Sequence, residues 1–226
     1  MSKHLERDLE SLEREILAQS SRVEVMIAKA CQALVERRAD MAQEVAATEV
    51  EINMREVKIE EECLKILALH QPVAVDLRRT ATVLKINTEL ERIADLAVNI
   101  TERTIALTEY PDFEIPPRLE RMFVRASDMV HDSLDAFVDL DVEAAREVCR
   151  RDDEVDDYNR QVIEEMLDTM RTRSDLVEAA LHFFSVTRHV ERIADCATNI
   201  AEDVIYLVEG EIARHHFENL RPTVDR

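Results

Sequence analysis

Apolar residues recur along this chain at steps of three, four and seven, the period of helices that each bury one face. The first seam holds Leu5, Leu9, Leu12, Ile16, Val23, Ile27, Ala30 and Leu34, with Ser2 placed to cap it. After a break near Arg38-Ala39-Asp40, a second seam runs through Met41, Val45, Thr48, Ile52, Ile59, Cys63 and Ile66. It stops at His70-Gln71-Pro72, because the residue before a proline is pushed out of the α region. A third helix, predicted from about Asp76 to Glu109, carries Val83, Ile86, Leu90, Ile93, Ala97, Ile100 and Leu107. Three of the five prolines then fall within residues 110–117.

The same plan returns beyond that segment. A helix is predicted over Arg118 to Val138, a turn at Asp139-Leu140-Asp141, a long helix to about Arg171, and another from Ser174 to Glu209. Gly210 then stands where a left-handed residue ends a helix. The pattern divides the chain into a three-helix bundle over 1–109, a proline-rich linker over 110–117, a second bundle over 118–210 and a tail over 211–226. The fold class expected is all-α, two tandem and sequence-related three-helix bundles.

The repeat extends to individual residues. Glu91-Arg92-Ile93-Ala94-Asp95 returns as Glu191-Arg192-Ile193-Ala194-Asp195, and nine of sixteen positions agree between 87–102 and 187–202. Asn99/Asn199 and Glu102/Glu202 are among them, which points to an internal duplication.

Composition narrows the function classes. One glycine in 226 residues excludes folds whose turns and phosphate loops need several. The formal net charge of −20 repels nucleic acid and anionic membranes. No apolar run reaches the roughly 18 residues of a spanning helix, and no apolar stretch near the start reads as a secretory signal. Cys31, Cys63, Cys149 and Cys196 lie far apart with no CxxC, the pattern of reduced thiols in a cytoplasmic protein.

The duplicated acids carry the candidate chemistry. With each residue turning about 100°, Glu91, Asp95, Asn99 and Glu102 share one stripe nearly opposite the apolar seam. Glu191, Asp195, Asn199 and Glu202 repeat it, so the site is expected on an outer face. Asp152 and Asp156 stand four apart on the preceding helix, and Glu49 and Asn53 are their first-half counterparts. Carboxylate and amide oxygens suit a hard cation such as Mg²⁺, Ca²⁺, Mn²⁺ or iron. A plain solvated face, with Arg92 bridging Asp95 and Arg188 bridging Glu191, is the competing reading. His189 is replaced by Glu89 in the other copy and is not part of a duplicated function. His215-His216 falls on the tail. No Glu-x-x-His, P-loop, G-x-S-x-G or H-E-x-x-H occurs.

Three stretches carry a likeness to a known family. They are Gln71-Pro72-Val73-Ala74-Val75-Asp76-Leu77-Arg78, Leu90 to Asp95 with Asn99-Ile100, and Val190 to Asp195 with Asn199-Ile200, closed by Gly210 and Arg214-His215. In these the chain resembles the PhoU family of phosphate-signalling proteins, over essentially its whole length. Ala94 and Ala194 replace a glycine common in the family, and Asn53 replaces an acid. The resemblance implies a non-enzymatic cytoplasmic regulator that restrains phosphate uptake and the phosphate-starvation response. The partners it implies are the ATPase of a phosphate ABC transporter and a sensor histidine kinase. It also implies metal ions on the paired motifs Glu49/Asn53 with Glu91/Asp95 and Asp152/Asp156 with Glu191/Asp195. The metal would be a multinuclear iron cluster, or zinc, manganese or magnesium. A metal-dependent hydrolase or oxidase and a metal-free helical scaffold are the alternative functions. A homodimer is expected, since long amphipathic helices readily pair.

Overall fold

The computed structural model describes residues 3–210; Ser2, Arg214 and His215-His216 lie outside the described residues. Six long helices account for nearly all of them: α1 Lys3–Val35, α2 Ala39–His70, α3 Ala74–Leu107, α4 Pro117–Asp139, α5 Val142–Thr172 and α6 Val177–Glu209. There is no strand among the described residues. The first three and the last three each form an up-down-up bundle, as the seams predict. Thr48 is the exception within its seam, being half-exposed.

Local chemistry sets the helix ends. Gln71 takes a left-handed conformation ahead of Pro72 and donates its N–H to the Leu67 carbonyl. The Asp141 side chain caps α5 by accepting from the Glu143 and Ala144 N–H groups at 2.9 and 3.0 Å. Gly210 has φ 78°, and its N–H closes on Tyr206, which ends α6 as expected. Helix α3 starts at Ala74, two residues earlier than the pattern suggests. Ser174–Leu176 is a separate 3₁₀ turn before α6.

The two bundles share one core. A single continuous cluster of buried side chains runs through all six helices. The two halves meet chiefly where α3 packs antiparallel on α6. Lys85 Nζ pairs with Asp203 Oδ1 at 2.6 Å, and Asn199 Nδ2 donates to Glu89 Oε1 at 3.2 Å. Four residues forward on α3 is thus four back on α6. Continuing that register sets Ala94 against Ala194, the very pair that the duplication relates. Both are completely buried, and their small size lets the two backbones approach.

Residues 110–117 are packed as part of this body. Phe113 is 2% exposed, and its ring lies 5.4 Å from that of Phe183 on α6. Arg37, in the α1–α2 turn, gathers the segment. Its guanidinium donates to the carbonyls of Leu107 at 3.3 Å, Tyr110 at 2.8 Å and Phe113.

Candidate metal centres

Antiparallel packing of α2 on α3, and of α5 on α6, brings the predicted acids together in two groups. In the second half Asp156, Glu191 and Asp195 all press their charge on Asp152. Burial is the larger cause, and together they push the Asp152 carboxyl up to about 6. Glu191 is raised first by burial and then by Asp195 and Asp156, against Arg188, which donates to its Oε1 at 2.7 Å. Asp195 is raised by burial and by Asp156, with Arg188, Arg92 and Arg192 pulling the other way. Arg92 thus directs its charge across the bundle interface to the second-half acid.

In the first half Glu49 presses its charge on both Glu91 and Asp95, and the Asn53 amide donates to Glu49. Glu91 is raised by burial, then by Asp95, Glu56 and Glu49; Asp95 is raised by burial and Glu49. Glu56 belongs to this group and was not foreseen. Its signal lies in the pairing of α2 with α5. Ile52, Ile59 and Val45 occupy the buried places of Val155, Val162 and Val148, which sets Glu56 against Asn159. The first half therefore carries acid, amide, acid where the second carries acid, acid, amide.

These groups sit on the flanks, outside the core. Asp95 and Asp195 are exposed, while Glu49, Asn53, Glu91, Asp152, Asp156 and Glu191 are half-buried in the grooves. Asn199 is turned away to α3 by its bond to Glu89, and Asn99 is half-buried at the matching place. His189 pairs with the Ser185 hydroxyl, and burial with Arg192 and Arg103 lowers its pKa. It lies where α6 faces Arg103 of α3.

The donor chemistry fits a hard cation. All candidate donors are oxygens, the carboxylates repel one another in a partly desolvated groove, and Glu191 Oε2 and Asn53 Oδ1 are buried with no hydrogen-bond partner. In the first group the Asn53 amide donates to Glu49 and occupies one of its oxygens. In this conformation no three His, Cys, Asp or Glu side chains among the described residues converge on one ion. Rotation about the side-chain torsions would have to bring them in.

The duplication and the architecture both have counterparts among known families and structures. The PhoU domain matches residues 16–104 and again 119–204. The chain belongs to the PhoU family. It is 35% identical over 210 residues, 92% of its length and 96% of the relative's, to a phosphate-specific transport system accessory protein PhoU homolog of Clostridium acetobutylicum. A PhoU homolog of the same description from Deinococcus radiodurans is 36% identical over 93% of this chain and 99% of its own. The crystal structure of PhoU from Pseudomonas aeruginosa superposes with a TM-score of 0.87 at 34% identity, over 91% of this chain and 99% of that one. The two acidic groups thus fall one in each PhoU repeat, on α2 with α3 and on α5 with α6. No helix among the described residues is long and apolar enough to cross a membrane.

Proposed function

We propose that this chain is a non-catalytic, cytoplasmic regulator of phosphate uptake, restraining a phosphate transporter and the phosphate-starvation response. The observation that carries this is the pair of PhoU repeats spanning the chain, in register with relatives named as accessory proteins of phosphate-specific transport. The partners are the ATPase of a phosphate ABC transporter and a sensor histidine kinase, met through exposed helix faces. Regulation of this kind works by population shift. The chain holds its partners in the signalling-off state only to the extent that it binds that state more tightly.

The acidic groups would hold metal ions. Asp152, Asp156, Glu191 and Asp195 are the stronger set, since in the other the Asn53 amide already occupies one Glu49 oxygen. Glu49, Glu56, Glu91 and Asp95 with Asn53 are the weaker one. A bound divalent cation would neutralise each groove and fix α5 against α6, and α2 against α3, at a defined spacing. Elemental mass spectrometry of untagged protein, purified without chelator, tests this. Wild type should carry iron, zinc, manganese or magnesium, and a variant with Glu91, Asp95, Glu191 and Asp195 changed to alanine should lose it. Equal, near-zero metal in both would remove the metal from the reading. The regulatory role is read separately, as repression of phosphate uptake in a strain lacking the chain. Failure of wild type to restore repression would end that proposal whatever the metal result.

A further inference from the structure

The turn that joins α2 to α3 carries an apolar surface with no cover among the described residues. Leu69, Val73, Val75 and Leu77 are 69, 74, 54 and 45% exposed, and Ala68 and Ala74 are exposed between them in sequence or beside them. Gln71 is the one polar side chain among the exposed positions from 68 to 77. Gln71 and Ala74 both take positive φ, 46° and 51°, a strain that lasts only where the surrounding structure fixes the turn. The second repeat treats the same junction differently. Between α5 and α6 the exposed residues are Arg171, Thr172, Arg173, Ser174 and Asp175, with Arg173 paired to Asp175 at 2.7 Å. Joining two helices at this place therefore does not require an apolar turn.

The described chain ends beside this turn. Lys85 opposite Asp203 and Glu89 opposite Asn199 set the antiparallel register of α3 on α6, and that register brings Arg78 level with Gly210. The contacts agree. Arg78 Nε donates to the Leu207 carbonyl at 3.1 Å, and a Cβ on Gly210 would lie 3.4 Å from Arg78 Nη1. Residues 74–77 extend past that level by up to four positions, about 6 Å of helix. Chain leaving Gly210 therefore starts within about one helical turn of Leu77, Val75 and Val73.

The sequence that follows has the pattern such a surface takes. At about 100° per residue, Ile212, Ala213, His216, Phe217 and Leu220 fall within one arc of about 140°. Glu211, Arg214, Glu218 and Arg221 fall on the opposite side, and Pro222 ends the pattern. A helix over the eleven residues 211–221 does not hold alone in water, since isolated helices shorter than about 12 to 15 residues are marginal at best. Its apolar stripe needs a surface to pack on, and the α2–α3 turn lies at its root. We propose that residues 211–221 form an amphipathic helix that folds back on this turn of the same chain, laying Ile212, Phe217 and Leu220 over Leu69, Val73, Val75 and Leu77. The tail is then a built-in competitor for any partner that binds the turn.

Hydrogen exchange of the full chain, read by mass spectrometry, tests this. Amides of 212–221 should exchange at least about ten-fold more slowly than in the isolated 211–226 peptide, and equally so at every protein concentration. Phe217→Ser/Leu220→Ser should return them to the peptide rate and speed exchange at 68–77. Val73→Ser/Val75→Ser should release the tail in the same way. Both valines are exposed, so exchange through α4 and α5 should be unchanged and reports that the body is folded. Should the turn variant unfold, the response of 68–77 to Phe217→Ser/Leu220→Ser decides alone. Tail amides at the peptide rate in wild type would overturn the proposal. So would protection indifferent to Val73→Ser/Val75→Ser in a folded chain, no response of 68–77 to the tail variant, or protection that grows with protein concentration, as docking on a second copy requires.

Discussion

Asp152 shows what the acidic grooves cost the protein when no cation is present. Its carboxyl titrates near 6 in the folded chain against an ordinary 3.8. The folded state therefore holds its proton at pH values where the unfolded chain has released it. An acid with a raised folded value adds stability at low pH and loses it as pH rises from about 4 through about 6. A two-unit shift corresponds to at most about 3 kcal/mol, and solvent screening in a half-open groove brings this nearer about 1 kcal/mol. In chelator, the urea midpoint of wild type should fall across that window, and Asp152→Asn should flatten the fall and be the more stable at pH 7.5. An unchanged slope in Asp152→Asn would show that the groove charge is relieved some other way. The thiols are inert by the same physics. Burial and neighbouring acids push Cys149 up to about 12, and Cys63 likewise, so neither supplies thiolate at neutral pH.

At the level of elements, the segment 110–117 reads from its prolines as a spacer between two bundles, yet Arg37 binds it down. Removing that guanidinium leaves the Tyr110 and Phe113 carbonyls, and the weaker Leu107 contact, without their partner. Arg37→Ala should lower stability by about 2 kcal/mol in urea unfolding. Arg37→Lys should recover only part, because one ammonium cannot span three carbonyls. A loss within a few tenths of a kcal/mol would mean the segment is held by Phe113 alone. Nothing in the sequence marks Arg37, since its partners are backbone groups about seventy residues away. The helices themselves were legible because burial imposes a 3.6-residue period on every seam. The acid stripes were legible because duplication printed them twice. Glu56 escaped that logic: its counterpart is Asn159, so it shows only once α2 and α5 are superposed by their buried positions. Asn199 escapes it for a related reason: helical angle sets it beside the acids, while its amide donates to Glu89 on α3.

The whole molecule turns on one crossing. Because α3 and α6 pack antiparallel with Ala94 and Ala194 at the centre, the duplication acts as an approximate two-fold through the shared core, and neither bundle buries its inner face alone. Alanine is small enough for the two helices to approach closely, and both residues are completely buried at the crossing. A larger side chain has nowhere to go there, since both backbones bracket it. Ala194→Leu should therefore cost about 3 kcal/mol by overpacking, and Ala94→Leu as much, because the two sites are equivalent. The form of unfolding is the stronger test. Shared burial predicts one calorimetric transition, with calorimetric and van't Hoff enthalpies equal, moving as a unit in both variants. Two separated transitions, with only the mutated half shifted, would mean that the bundles are stable independently. The α3–α6 contact would then join two finished domains instead of completing one core.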